Sequence, residues 1–259
     1  LVDVSDEMYN VFFKKTRNVL LTSATLQVNN SFDYFKERLG INNHLSNVVI
    51  EEFKSPFHYP EQVTFYQYNG SVEISNDFKK IGELIISVHK KLNKRTLVLF
   101  TSTKTLANTY DYIKDKNYNI PVFAQLRGFS KSALLKGISQ NSNGILLGTN
   151  SFWEGVDFPG DLLEVLILVK LPFDVPSDPL VKSYSELLNG KGQNSFIDYS
   201  IPECVMRFRQ GFGRLIRTTY DSGVFICLDN RVVLKRYGNI ISKSIPVEMK
   251  LFSNFDSIN

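Results

Sequence analysis

The run Glu164-Val165-Leu166-Ile167-Leu168-Val169-Lys170-Leu171 sets five aliphatic side chains side by side with no polar residue among them. A strand with one face in water alternates apolar and polar positions, so a run without alternation predicts a strand buried on both faces, as in a parallel sheet. Runs at 18–22, 96–101, 144–148 and 223–228, rich in Val, Ile, Leu and Phe, read the same way. Between them lie segments of helical period. Phe78, Ile81, Leu84, Ile85, Val88 and Leu92 share one face of residues 76–92. Leu106, Tyr110 and Ile113 do so in the next segment, and Leu134, Leu135 and Ile138 in the one after. Strands alternating with helices of this length predict an α/β domain, a mostly parallel sheet flanked by helices.

Composition sets outer bounds. Hydrophobic residues make up 43% of the 259 and aromatic residues 13%, enough for a packed core and too many for intrinsic disorder. The net charge of +4 permits a nucleic-acid partner without requiring one. Cys204 and Cys227 are too few and too far apart for a disulfide or metal framework, and read as buried thiols in a reducing compartment. No apolar run approaches the roughly 18–20 residues that span a bilayer, and the acidic opening Val2-Asp3-Val4-Ser5-Asp6-Glu7 is no secretory signal. A start at Leu1 without Met reads as an excised fragment. The expectation is a cytoplasmic chain, with no membrane contact, that is part of something longer.

The first 45 or so residues stand apart, with a helix expected over 6–15, a strand over 18–22 and a helix over 31–39. Residues 54–76, with Ser55-Pro56-Phe57 and Gly70, read as a connector into the main domain. The polar stretch 177–200, holding Gly190 and Gly192, reads as a helix followed by a mobile loop. No repeat of fixed period and no low-complexity tract is present.

The segment 200–217 carries the most chemistry. Ser200 followed by Glu203 has the pattern of a capping box, with Pro202 in the first turn where its missing N–H is harmless. On a helix, Ile201, Cys204, Val205, Phe208, Phe212, Leu215 and Ile216 form an apolar stripe, and Arg207, Gln210, Arg214 and Arg217 cluster opposite it. Gly211 and Gly213 each cost about 1 kcal/mol in a helix relative to Ala, which predicts close approach of a backbone or a ligand. A solvated arginine face is the plainer reading. Against it stand the two glycines and the planar guanidinium fork, which suits phosphate oxygens.

Gln210-Gly211-Phe212-Gly213-Arg214-Leu215-Ile216-Arg217 resembles the sixth motif of the DinG/XPD group of superfamily 2 DNA helicases, Q-x-x-G-R-x-I-R. Asp221-Ser222-Gly223 and Asp229-Asn230-Arg231 are similar to the group's following D-x-G and D-x-R. Thr149-Asn150-Ser151-Phe152-Trp153-Glu154-Gly155-Val156-Asp157-Phe158-Pro159-Gly160-Asp161 resembles the fifth motif, and Lys170-Leu171-Pro172-Phe173 with Pro176-Ser177-Asp178-Pro179 extends the match. Leu97-Val98-Leu99-Phe100-Thr101-Ser102 is similar to the fourth motif, and Leu20-Leu21-Thr22-Ser23-Ala24-Thr25-Leu26 to the third. All occur in the family's order.

The resemblance implies a RecA-like second motor domain, residues 54–259, preceded by residues 1–53 as the tail of the first motor domain with its third motif. It implies that Arg214 and Arg217 act as arginine fingers toward the γ-phosphate of ATP, with Gln210 helping to register the cleft. Glu154, Gly155, Asp157 and Gly213 are the implied nucleotide-cleft residues. Thr101, Ser102, Thr149 and Ser151 are the implied contacts to single-stranded DNA, with Lys104 and Arg127 as neighbours. Trp153 reads as core rather than as a base-stacking platform.

ATP and Mg²⁺ are then held mainly by the first motor domain of the same protein. This chain has no G-x-x-x-x-G-K-[ST] loop, no D-E-A-H-like motif and no metal site of its own. The implied activity is ATP-driven movement on DNA, 5′ to 3′, in repair or replication; the isolated piece is expected to be inactive. The alternative is a non-unwinding DNA-binding or regulatory module attached to a 3′–5′ exonuclease. Abundant Asn and Lys suggest an AT-rich bacterial genome, and family members from such bacteria carry an N-terminal exonuclease domain. A metabolic α/β enzyme is disfavoured, since neither a Gly-rich phosphate loop nor a nucleophile elbow is present.

Overall fold

The computed structural model describes residues 2–45, 47–116, 119–149, 152 and 163–258. They form two compact units: Leu1–Ser55 with Pro172–Arg209, and Pro56–Leu171 with Gln210–Asn259.

The second unit is built on seven strands in the order β3-β4-β2-β5-β6-β1-β7. They are β1 (Val63–Tyr68), β2 (Thr96–Leu99), β3 (Val122–Ala124), β4 (Ile145–Gly148), β5 (Val165–Leu168), β6 (Gly223–Cys227) and β7 (Met249–Phe252). Every pairing is parallel; Thr96 of β2, for example, lies opposite Ile145 on one side and Val165 on the other. β2, β4 and β5 are buried along their whole length, as their unbroken apolar runs require. A strand covered on both faces has no position at which a polar side chain could meet water.

The three helices read from periodicity are Phe78–Leu92, Thr103–Asp115 and Lys131–Ser139. Asp77, Ser102 and Ser130 cap them, each side chain accepting a main-chain N–H of the first turn. Ile81, Leu84, Ile85 and Val88 join Leu106, Ile113, Val98, Ile145 and Ile167 in one core. Cys204 and Cys227 are both buried, and neither is in a disulfide.

Three strands of this unit lie outside the runs read from the sequence. Residues 54–76 are not merely a connector, because β1 lies within them, between β6 and β7. The polar Gln67 masks that strand. It is fully buried, yet its amide nitrogen donates to the main-chain carbonyls of Tyr68 and Asp229, both at 2.9 Å. β3 and β7, of three and four residues, are too short to show a period.

The first unit holds helices Ser5–Val11, Asp33–Arg38 and Pro179–Gly190, and most of a helix at Ile201–Phe212. Tyr184, Leu188 and Tyr199 form its small core, and the Arg38 guanidinium lies 4.3 Å from the Tyr184 ring centroid. The expected strand over 18–22 is absent. A strand exists only through its ladder, and no named strand of this unit is available to pair with it; Leu20 is instead 88% exposed.

The helix start moves as well. Residues 196–200 are not a mobile loop but a wide turn in which the N–H of Ile201 bonds the Phe196 carbonyl, immediately before Pro202. The capping residue is therefore Asn194, not Ser200. Asn194 Oδ1 accepts from the N–H groups of Phe196 and Ile197, both at 3.1 Å, and Asp198 Oδ2 accepts the Asn194 N–H at 2.8 Å. Glu203 is left to accept from the Tyr34 hydroxyl at 2.5 Å. Burial, reinforced by the Glu203 charge, pushes the Tyr34 phenol far above its ordinary range.

Candidate functional site

The Ile201–Phe212 helix buries all seven residues of its apolar stripe, Leu215 and Ile216 included. Phe212 packs on Tyr59 and Phe225, with ring centroids 5.4 and 5.7 Å apart. The helix ends there, not at Arg217. Gly211 and Gly213 weaken its last turn, and the chain tightens into i→i−3 bonds: Arg214 N to Gly211 O at 3.1 Å, Leu215 N to Phe212 O at 3.0 Å. Gly213 is exposed just past the helix end. Arg214 thus sits on a turn and Arg217 on irregular chain beyond it, and helical spacing does not bring them together. Arg207 does not belong with them either: its guanidinium is taken by Asp174 at 2.5 Å and the Pro172 carbonyl at 3.3 Å.

What orders the arginine segment is Asp221. Its Oδ2 accepts the main-chain N–H groups of Arg217 and Thr218, both at 2.8 Å, and its Oδ1 accepts the Thr218 hydroxyl at 2.7 Å. From the residue before β1, Gln62 donates its amide to the carbonyls of Thr218 at 3.1 Å and Asp221 at 2.8 Å. Burial alone would raise the Asp221 pKa, but bonds from Thr218 and Arg217 outweigh it and hold the carboxyl below its usual range. The Arg217 guanidinium is half-buried, and that burial lowers its pKa against the pull of Asp221. It starts so far above neutrality that it stays charged. Next along the chain, Gly223 lets Leu215 lie on the strand: a Cβ there would come within 2.5 Å of Leu215 Cδ1.

Gln210 lies in the last helical turn, and its Oε1 is buried with no hydrogen-bond partner among the described residues. The set Gln210, Arg214 and Arg217 supplies cationic and amide donors, which fits the oxygens of a phosphate group. It does not fit a metal ion, and no group of three metal-ligating side chains exists among the described residues.

Because all strands are parallel, everything that follows a strand lies at one edge of the sheet and everything that precedes a strand lies at the other. Arg217 and Asp221 precede β6. Thr101 and Ser102 follow β2, and Thr149 follows β4, its neighbour in the sheet. The hydroxyl residues and the arginines therefore occupy opposite edges. Lys104 and Arg127, which follow β2 and β3, are exposed on the hydroxyl side. Ser151, Trp153, Glu154, Gly155 and Asp157 lie outside the described residues.

Three features here were not foreseen. Thr149 is already engaged, since its N–H and its hydroxyl both donate to Gln125 Oε1 at 2.9 Å. Ser102 is the cap of the Thr103–Asp115 helix, accepting from Thr105 N at 3.2 Å. The D-x-R segment is a clamp between neighbouring strands. The fully buried Asp229 accepts the Leu171 N–H at 2.8 Å and bonds Arg231 Nη2 at 2.6 Å and Nε at 2.9 Å. Gln62 and Gln125 carried no signal in the sequence, as each works through a partner distant in the chain.

Residues 85–248 match the family described as the helicase C-terminal domain. Over 246 residues the chain is 38% identical to the 3'-5' exonuclease DinG of Bacillus subtilis, covering 91% of this chain and 26% of that protein. Over 230 residues it is 38% identical to the ATP-dependent DNA helicase YoaA of Haemophilus influenzae, covering 88% of this chain and 35% of that one. It therefore spans about a quarter to a third of the length of these relatives. Among solved structures it resembles an XPD helicase, with a TM-score of 0.71 and 17% identity over 97% of this chain and 45% of that chain. At that identity the likeness concerns the fold, a RecA-like α/β sheet.

Proposed function

The chain belongs to the helicase C-terminal domain family, and we propose that it serves as the C-terminal motor half of an ATP-dependent DNA helicase of the DinG/XPD group. In this reading residues 54–259 are the second motor domain, residues 1–53 come from the first, and the partners are that first domain and single-stranded DNA. The setting is DNA repair or replication in the cytoplasm. No helix among the described residues is long and apolar enough to cross a membrane.

The observation that carries the reading is the turn closed by Asp221 on Arg217. A finger must place positive charge where negative charge builds during phosphoryl transfer, and its reach must be set beforehand. Arg217 meets both needs, being charged at neutral pH and fixed at its main chain by a carboxylate. Arg214, one short turn earlier, adds a second fork, and the buried Gln210 carbonyl offers an acceptor beside it. These residues would hold the phosphate end of ATP, whose phosphoanhydride supplies the free energy of the cycle. Mg²⁺ is assigned to the first motor domain, which is the natural place for acidic ligands.

At the other edge, Thr101, Ser102 and Thr149 would receive the phosphates of a single strand, with Lys104 and Arg127 contributing charge. Such contacts read no base and give a sequence-tolerant, salt-dependent affinity. The second reading, a module that binds DNA for an exonuclease without unwinding it, is supported by one observation. The Bacillus subtilis relative carries the exonuclease name at the same 38% identity as the helicase relative.

Strand displacement by the full-length protein separates the two. The motor reading expects ATP-dependent separation of a tailed duplex, lost when Arg214 and Arg217 are both replaced by Ala. Hydrolysis at the parent rate by that double variant would sink the finger assignment. Hydrolysis without strand separation in the parent would favour the exonuclease module.

A further inference from the structure

Arg209 stands one residue before the arginine segment and plays no part in the scheme above. Its two terminal nitrogens bind main-chain carbonyls three residues apart: Nη1 the Gln27 carbonyl at 2.7 Å, Nη2 the Ala24 carbonyl at 3.1 Å. The loop so held contains Ser23, Ala24, Thr25 and Leu26, and it has little structure of its own. The Ser23 hydroxyl meets Thr25 Oγ1 and the Thr25 N–H at 3.3 Å each, and the Gln27 amide donates to Glu52 at 3.0 Å. Met206, one turn earlier on the same helix face, lines a cleft of about 490 Å³ with Leu20, Leu21, Leu26 and Phe35.

We propose that Arg209 is a positioning residue, a latch that fixes the hydroxyl-bearing loop to the helix from which Gln210 projects. The reasoning is geometric. A guanidinium is planar and can span two carbonyls at once, which an ammonium cannot. The Gln27 and Ala24 acceptors are main-chain atoms, so the latch acts on the course of the loop whatever the loop's side chains are. A cation bound to the carbonyls also leaves the Ser23 and Thr25 hydroxyls out of the latch, bonded to each other at 3.3 Å. Arg209 touches no reacting atom in this scheme; it sets the fraction of molecules in which the loop is in place. This function rests on the motor reading, whereas the latch itself does not.

The test therefore has two arms. In limited digestion by chymotrypsin, Arg209→Ala should raise the cleavage rate at Leu20, Leu21 and Leu26 roughly tenfold, the effect of losing one or two charge-assisted bonds. The thermal midpoint should barely move. Arg209→Lys should fall between, holding one carbonyl of the two. Unchanged cleavage, or a matching rise across the Ile201–Phe212 helix, would overturn the latch.

In the second arm, the full-length protein hydrolyses ATP with saturating single-stranded DNA. Arg209→Ala should lower kcat about tenfold with the KM for ATP within twofold, since fewer molecules have the loop in place. A changed loop with unchanged kcat would leave Arg209 a purely structural tie and overturn the positioning role. Absence of DNA-stimulated hydrolysis in the parent would instead refute the motor reading, leaving the digestion result standing on its own.

Discussion

Asp221 Oδ2 accepts the main-chain N–H of Arg217 at 2.8 Å, and the side chain that closes the turn is thus of opposite charge to the one the turn presents. The bond goes to the arginine's backbone, which fixes the starting point of the side chain. Asp221→Ala should therefore act on placement. The protein should fold, losing about 1 kcal/mol, as when a capping carboxylate is removed. Nucleotide turnover should drop about a hundredfold, the usual effect of a catalytic group misplaced by an ångström. Calorimetry and steady-state hydrolysis on the full-length protein measure the two effects. Equal turnover in variant and parent would remove the turn from the machinery.

Arg217→Ala should leave the fold nearly intact, since the side chain is only half-buried. It should reduce turnover by about 10³–10⁵, the range for a supplied arginine finger. Arg217→Lys should recover little of this, because an ammonium lacks the planar fork. A lysine variant within tenfold of the parent would show that charge alone suffices.

The carboxyl of Asp221 should titrate below an ordinary aspartate, because the folded state binds its charged form through Thr218 and Arg217. A folded pKa below the unfolded one means that the contribution is complete above the unfolded value. It is then lost as pH falls from about 4 through the folded pKa. Carboxyl ¹³C shifts followed against pH measure the midpoint. Thr218→Ala, which removes one donor, should move it upward; a midpoint at or above that of exposed aspartates would contradict the geometry.

On the hydroxyl edge, charge and hydroxyl contributions should separate by salt. Replacing Lys104 or Arg127 by Ala should weaken single-stranded DNA binding and reduce the slope of log K against log salt by about 0.7 each, the value for one phosphate contact on a single strand. Thr149→Val should weaken binding a few-fold with the slope unchanged, since no charge is lost. Gln125→Ala should strengthen it, by releasing the Thr149 hydroxyl from its present acceptor. Fluorescence anisotropy at several salt concentrations checks all four; a slope unaffected by either cation would move the DNA elsewhere.

Much of the sheet was legible because burial on both faces leaves a mark in every residue of a strand. β2, β4, β5 and β6 announced themselves that way, and the capped helices between them did so by period. β1 escaped because Gln67 is a polar residue whose amide nitrogen donates to carbonyls 1 and 162 positions away, which no local pattern encodes. The apolar stripe on the last long helix was read correctly, but its end was not. Helical spacing was extended through Gly213 to Arg217, whereas two glycines in three residues stop the helix at Phe212. The capping box failed for a related reason: Ser200 and Glu203 have the right spacing, but Asn194 and Asp198 lie upstream with a better one. Gln62, Gln125 and Asp221 serve the site by holding other residues in place, and a partner's identity is not written in the local sequence.

The parallel sheet has one consequence for how substitutions should combine. Its central strands β2, β4 and β5 are four residues long, so roughly 13 Å of backbone separates the edge with Thr101 and Thr149 from the edge with Arg217 and Asp221. No side chain spans that distance, and changes so far apart ordinarily add in free energy. Binding losses at the two edges should therefore sum. If turnover losses do not, the excess measures in kcal/mol how strongly the track and the nucleotide cleft depend on each other.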